Sequence, residues 1–205
     1  MINIKRFLRG LFSDHKKYWR DSDSNWEKSY WATRFHPHRE TLIEELSLLQ
    51  PFTSLLEIGC NCAPNLFRIK EKWPDVRLAG SDINERAIEL AKSLLPDVEF
   101  KTREIGMNDF PDKSFDIVLA DAALMYIPAT EIIRAKREML RLAKKAIVIV
   151  DQHNMFAGPY GHRFWEHWVR NYNHLFRGYD IHSRKIDNWG GLWNTLGYIF
   201  TVRIK

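Results

Sequence analysis

At 205 residues and 45% hydrophobic content the chain can build one full core with an appendage, which argues against a disordered protein. No apolar run approaches the ~20 residues that span a bilayer, and Met1 to Arg6 lacks the apolar stretch and cleavage site of a signal peptide. The formal charge of +5 is concentrated in residues 1–39, with nine Lys/Arg against four Asp/Glu, while the rest balances at 22 of each; a nucleic-acid groove would more often extend its charge over the body as well.

The basic arm begins with residues 2–12, where Ile4, Phe7, Leu8, Leu11 and Phe12 share one helical face. Such a helix either packs on protein or lies on a membrane surface. The next stretch, from Tyr18 to Phe35, is dense in aromatics, and the spacing of Trp26, Tyr30 and Trp31 is helical. Tyr30, Trp31 and Arg34 would then lie across a ligand pocket as a lid, or the rings would pack on a sheet edge. Residues 1–39 are read as a helical arm or lid and 40–205 as the main domain.

From residue 39 the pattern becomes regular. An amphipathic helix over 39–49 ends at Pro51. Strands are predicted at Ser54–Ile58, Arg77–Ser81, Val98–Lys101, Phe115–Ala120 and Ala146–Val150. Helices are predicted between them at Asn65–Lys72, Glu85–Leu94 and about Ala129–Ala143. This alternation argues for an α/β fold with a parallel sheet covered on both faces. The tail differs: Phe164–Leu175 reads as an aromatic-rich helix, and Tyr179–Ile186 and Tyr198–Ile204 as an antiparallel pair of strands.

The most informative stretch is Leu55-Leu56-Glu57-Ile58-Gly59-Cys60-Asn61-Cys62-Ala63-Pro64-Asn65. A buried strand ends in a carboxylate and a tight turn, which puts Glu57 and several free backbone N–H groups where α/β sheets bind nucleotide-like ligands. Asp82 closes the next apolar run. A dinucleotide site wants G-x-G-x-x-G, but Asn61 and Ala63 stand where further glycines belong, and no Gly-Lys-Ser/Thr follows. Asn61 suits a left-handed turn and Pro64 the first helical position. The turn is therefore coherent but poor for phosphate. Glu57 would face a cationic end and Asp82 would accept ribose hydroxyls, or Asp82 would serve the helix that starts near Asn84.

With these residues in place, the chain resembles the class I S-adenosylmethionine-dependent methyltransferases over about residues 40–150. Leu55 to Asn61 looks like their first motif and Gly80-Ser81-Asp82-Ile83-Asn84 like their ribose-binding strand end. Phe110 to Val118 and Ala120 to Pro128 are similar to the fourth strand and its sequel. The resemblance implies a Rossmann-like, three-layer fold with a seven-stranded, mostly parallel sheet closed by a C-terminal antiparallel hairpin. It also implies S-adenosyl-L-methionine as cofactor, with Glu57, Gly59, Cys60 and Asn61 along its methionine part. Asp82 would hold the ribose, Ile83 would pack on adenine, Glu104 would sit near the adenine amino group, and Asp121 and Ala122 would flank the amino-acid end.

Candidates for a general base at strand ends are Tyr126, Asp151 and His153, with the alternative that the last is an ordinary loop histidine. Tyr160, with Phe156, Phe164, Trp165 and Trp168, would complete a lid over a small or medium acceptor, flat or sugar-like. No metal site is expected, because Cys60-x-Cys62 has no paired His or Cys set nearby; the two thiols suit a reducing, cytoplasmic setting. The expected activity is methyl transfer. The rival readings are an RNA- or protein-directed methyltransferase that uses the arm, and an inert module that binds the cofactor.

Overall fold

The computed structural model describes residues 15–164 and 167–205. The helix read at residues 2–12 and the ring of Trp165 lie outside them. The arm contributes α1 (His15–Asp21), α2 (Trp26–Ser29) and a 3-10 turn over Trp31–Thr33. Next come α3 (His38–Ser47), β1 (Ser54–Ile58), α4 (Pro64–Lys72), β2 (Arg77–Asp82), α5 (Glu85–Leu94) and β3 (Glu99–Thr102). The second half runs β4 (Phe115–Asp121), a 3-10 turn at Leu124–Tyr126, α6 (Ile132–Leu142) and β5 (Ala143–Gln152). It closes with β6 (His162–Phe164), β7 (His167–Val169), α7 (Tyr172–Leu175), β8 (Asp180–Lys185), α8 (Trp193–Leu196) and β9 (Gly197–Arg203).

Seven strands form one sheet in the order β3-β2-β1-β4-β5-β9-β8. The first five are mutually parallel, and β9 runs antiparallel between β5 and β8. Burial on both faces explains the near-continuous apolar strands. Alternation sorts them: Leu55, Ile117, Val148 and Val150 join the core under α3, α4 and α5. Leu56, Ile58, Val118, Ile147 and Ile149 join the core under α6 and α7. The chain leaves β1 toward β2 and returns on its other side with β4, so the tips of β1, β2 and β4 surround the switch point where open α/β sheets bind ligands.

Three expectations change. The helix read at Phe164–Leu175 is instead the antiparallel pair β6–β7, with only Tyr172–Leu175 helical. Phe164, Trp168 and Val169 suit a strand as well as a helix, and the strand prevails because it brings Arg170 into the core. Arg170 is fully buried and donates from Nη1 to Leu124 O at 2.8 Å and from Nη2 to Ile127 O. The fifth strand begins at Ala143, where Ala143 pairs with Phe115, and this cuts α6 to Ile132–Leu142. Finally, α3 starts at His38, so His38 and Arg39, read as the end of the arm, are buried in the body.

Gly161 makes the turn into β6 at φ +82°, and a Cβ there would lie 2.6 Å from Arg170 Cγ. Gly161→Ala should therefore cost about 1–3 kcal/mol in denaturant unfolding; an unchanged midpoint would show that the hairpin does not depend on this contact.

Candidate functional site

The turn after β1 is held by the strand tip beside it. Gly59 sits at φ +76°, and a Cβ there would meet Ala123 Cβ at 2.6 Å, so only glycine allows the β4 loop this close. Asn61 (φ 49°) and Ala63 (φ 65°) are both left-handed. For Ala63 that conformation costs about 1–2 kcal/mol, and its buried position before Pro64 fixes the start of α4.

The N–H groups of this turn are not free. Gly59 and Cys60 donate to Ser81 O at 2.7 and 3.0 Å, and Ala63 donates to Cys60 O at 2.8 Å. Asn61 donates to Asp82 Oδ2 at 2.9 Å, and Cys62 to Asn61 Oδ1 at 2.7 Å. The expectation of several unspent donors is thus corrected: the missing glycines let the turn close on its own acceptors. Asp82 also accepts the Asn84 N–H through Oδ1 at 2.9 Å. Burial raises its pKa, against the pull of the N–H groups of Asn84, Asn61 and Ile83. The cap of α5 is Asn84 itself, which accepts from Ala87 N.

Beside the turn lies a buried carboxylate pair. The Asn65 side chain donates from Nδ2 to Glu57 Oε1 at 2.6 Å and to Asp121 Oδ2 at 2.8 Å. Its Oδ1 accepts from Arg39 Nη1, which fixes the orientation of the amide. Glu57 Oε2 and Asp121 Oδ1 are buried without a hydrogen-bond partner. Burial, countered by Asn65 and reinforced by the Asp121 charge, pushes the Glu57 carboxyl up to about 8. Asp121 is equally buried, yet His38, Arg39 and Asn65 overcome the burial and hold it below the ordinary value.

A cleft opens above these strand tips, lined by Gly59, Asn61, Asp82, Ile83, Glu104, Asp121, Ala122, Tyr30 and Tyr126. Sequence reasoning read the arm as a lid and named Tyr30, but not the other residues of this roof. Helix α1 places His15, Lys16 and Trp19 on the lining, and α6 adds Arg134. Lys16 and Arg20 reach Glu104 at 2.5 and 3.0 Å, with Arg134 at 3.5 Å. Asn84 Nδ2 ties the arm down by donating to Trp19 O and Ser22 O at 2.8 and 2.9 Å. The Trp19 ring meets Tyr126 edge-on at 4.8 Å. Tyr30, raised to about 12 by burial, keeps its proton.

Other candidates lie elsewhere. Cys60 is buried, its sulfur turned toward Gly80, and Cys62 donates to Trp26 O beneath the arm. Trp31 and Arg34 pack on the Phe67 ring at 5.0 and 5.8 Å, outside the cleft lining. Tyr160 is 54% exposed and also outside it. His153 is buried among Tyr172, Tyr198 and Phe200, with Nδ1 accepting from Tyr172 N at 3.3 Å, and does not line the cleft. Burial lowers its pKa. Asp151 accepts from Tyr172 Oη at 2.8 Å, and burial pushes it up to about 7. Among the described residues no group of three His, Cys, Asp or Glu is placed to hold a metal ion.

The Glu57 shift fixes a sign. The folded protein holds this proton up to about 8, whereas a free carboxyl of this type titrates near 4.5. The proton therefore favours the fold at low pH, and that contribution is lost as pH rises from about 4.5 to above 8. In Glu57→Gln the stability should decline less over this range. Parallel pH profiles for both proteins, measured by urea unfolding, would place the proton elsewhere.

Residues 55–146 match the family model described as a methyltransferase domain. Trans-aconitate 2-methyltransferase of Escherichia coli (strain 55989 / EAEC) is 28% identical over 108 residues, which are 51% of this chain and 42% of that protein. The match thus spans less than half the length of this curated relative. Magnesium protoporphyrin IX methyltransferase (ChlM) of Synechocystis PCC 6803, solved with bound SAM, superposes with a TM-score of 0.64 at 14% identity, covering 100% of this chain and 92% of that one. The [4+2]-cyclase SpnF superposes with a TM-score of 0.63 at 17% identity, over 90% of this chain and 85% of its own. These two likenesses show the fold. Over residues 55–146 the chain is thus similar to a methyltransferase domain, and its fold is that of the two solved structures.

Proposed function

We propose that the protein transfers a methyl group from S-adenosylmethionine to a small or medium acceptor. The observation that carries this reading is the state of the turn after β1. From Gly59 to Ala63 every N–H is already bonded within the protein, so a pyrophosphate would find no donors there. A ligand that brings hydroxyls and a positive charge finds acceptors instead. Asp82 lines the cleft with Oδ2 accepting from Asn61 N and Oδ1 from Asn84 N, and a carboxylate has further acceptor capacity for ribose hydroxyls. Asp121 lines it with Oδ1 unpartnered, and Glu57 stands behind through Asn65. Ile83 supplies an apolar wall for the base.

When bound, the donor supplies an activated methyl group on a sulfonium. The chain's own residues bind and orient it and keep water out. Trp19, Tyr30 and Tyr126 give the cleft an aromatic wall under α1, and orientation in such an enclosed site can supply much of the rate. Of the three candidate bases only Tyr126 lines the cleft. His153 has no such access. A small acceptor is favoured over RNA because Lys16 and Arg20, two cations of the basic arm, pair with Glu104 and seal the cleft.

Calorimetry with S-adenosylhomocysteine tests the reading. The protein should bind it, with ATP and NAD failing to compete. Asp82→Ala should weaken binding by about 1–3 kcal/mol through the lost hydroxyl bonds. No heat of binding, or equal affinity in the variant, would contradict the assignment.

A further inference from the structure

The buried polar groups behind Asp121 are more elaborate than the fold needs. His38 opens α3 and is 3% exposed. Its ring stacks flat on Trp189 at 3.7 Å and 6°, and Trp189 stacks on Trp193 at 3.9 Å and 14°. Three parallel rings therefore fix the imidazole plane. Its Nδ1 lies 2.7 Å from His36 Nδ1, which also receives the His38 backbone N–H at 3.4 Å. With Nδ1 turned to His36, the Nε2 edge of the ring faces Asp121 Oδ2 at 3.5 Å. Arg39 Nη1 stands 3.6 Å from the same oxygen, and Asn65 donates to it at 2.8 Å.

Three groups from two helices thus converge on Oδ2 of one carboxylate, while its Oδ1 is buried with no partner. A purely structural pocket would be filled more cheaply by an apolar side chain, because an unmade hydrogen bond at a buried polar atom costs about 1–3 kcal/mol. The arrangement makes sense if a ligand completes it. We propose that His38 is a positioning residue for the amino-acid end of the donor: clamped between His36 and Trp189, it holds Asp121 so that Oδ1 meets the donor's ammonium group. This rests on the cofactor reading above and adds to it a role for the segment before the sheet, which lies outside the stretch matched by the family model.

The test separates the two ends of the donor. S-Adenosylhomocysteine carries the amino-acid end, and 5′-methylthioadenosine has the same nucleoside and thioether without it. Calorimetry on the full chain should show His38→Asn weakening S-adenosylhomocysteine about tenfold and 5′-methylthioadenosine less than twofold. His38→Gln, whose amide nitrogen reaches the place of Nε2, should restore most of the loss. If His38→Asn does not fold, the ratio of the two affinities in His38→Gln against Trp189→Leu carries the test, with the ratio kept in the first and reduced in the second. Equal losses for both ligands, or no loss for either, would overturn the proposal and leave the cofactor reading standing. A wild-type protein that binds neither nucleoside would overturn the cofactor reading and this inference with it.

Discussion

One side-chain amide organises the site. Asn65 donates to Glu57 at the tip of β1 and to Asp121 at the tip of β4, and accepts from Arg39 of α3. Two carboxylates this close and this buried cannot both ionise without compensating charge. The bridge settles the division: Glu57 is raised to about 8, while Asp121, with Arg39 and His38 at its other side, is held low. The pair therefore behaves as one anion with one proton in reserve. Glu57 Oε2 and Asp121 Oδ1 are left without partners, and Arg39 stands 3.6 Å from the other Asp121 oxygen.

Backbone strain is concentrated at the same place. Among the described non-glycine residues with positive φ, Asn61 and Ala122 line the cleft, Ala63 lies in the same turn as Asn61, and Lys113 is the exception. Such conformations persist only where the surroundings over-determine them. Here they are fixed by the bonds from Asn61 to Asp82 and from Ala122 N to Val150 O at 2.8 Å. The arm then closes the cleft with groups of a different kind, an aromatic wall and an ion-pair cluster on Glu104, so roof and floor are held by independent interactions.

The sheet was legible because punctuation and period agree there. Pro51, Gly59 and Asn84 bracket short apolar runs and a helical period, and β1 and α5 run between the residues expected. Asp82 was read from the end of its apolar run, while Ile83, Asp121 and Ala122 were implied only by the family resemblance; all four line the cleft. The tail was not legible, since Phe164 and Trp168 fit either period and the choice was made by Arg170 reaching the carbonyls of Leu124 and Ile127. His38, Arg39 and the α1 lining were missed for a related reason: they are distant in sequence from the strand tips they serve. The bond between Asn61 and Asp82 was equally invisible, because it depends on how two strand ends approach.

The central claim is that these strand tips clasp an adenosyl group with a cationic amino-acid end. The crystal structure of the protein grown with saturating S-adenosylhomocysteine tests it most directly. The account predicts the ribose hydroxyls on Asp82 and the ammonium within hydrogen-bond distance of Asp121 Oδ1. An empty cleft, or a nucleoside whose amino-acid end points away from Asp121, would contradict it.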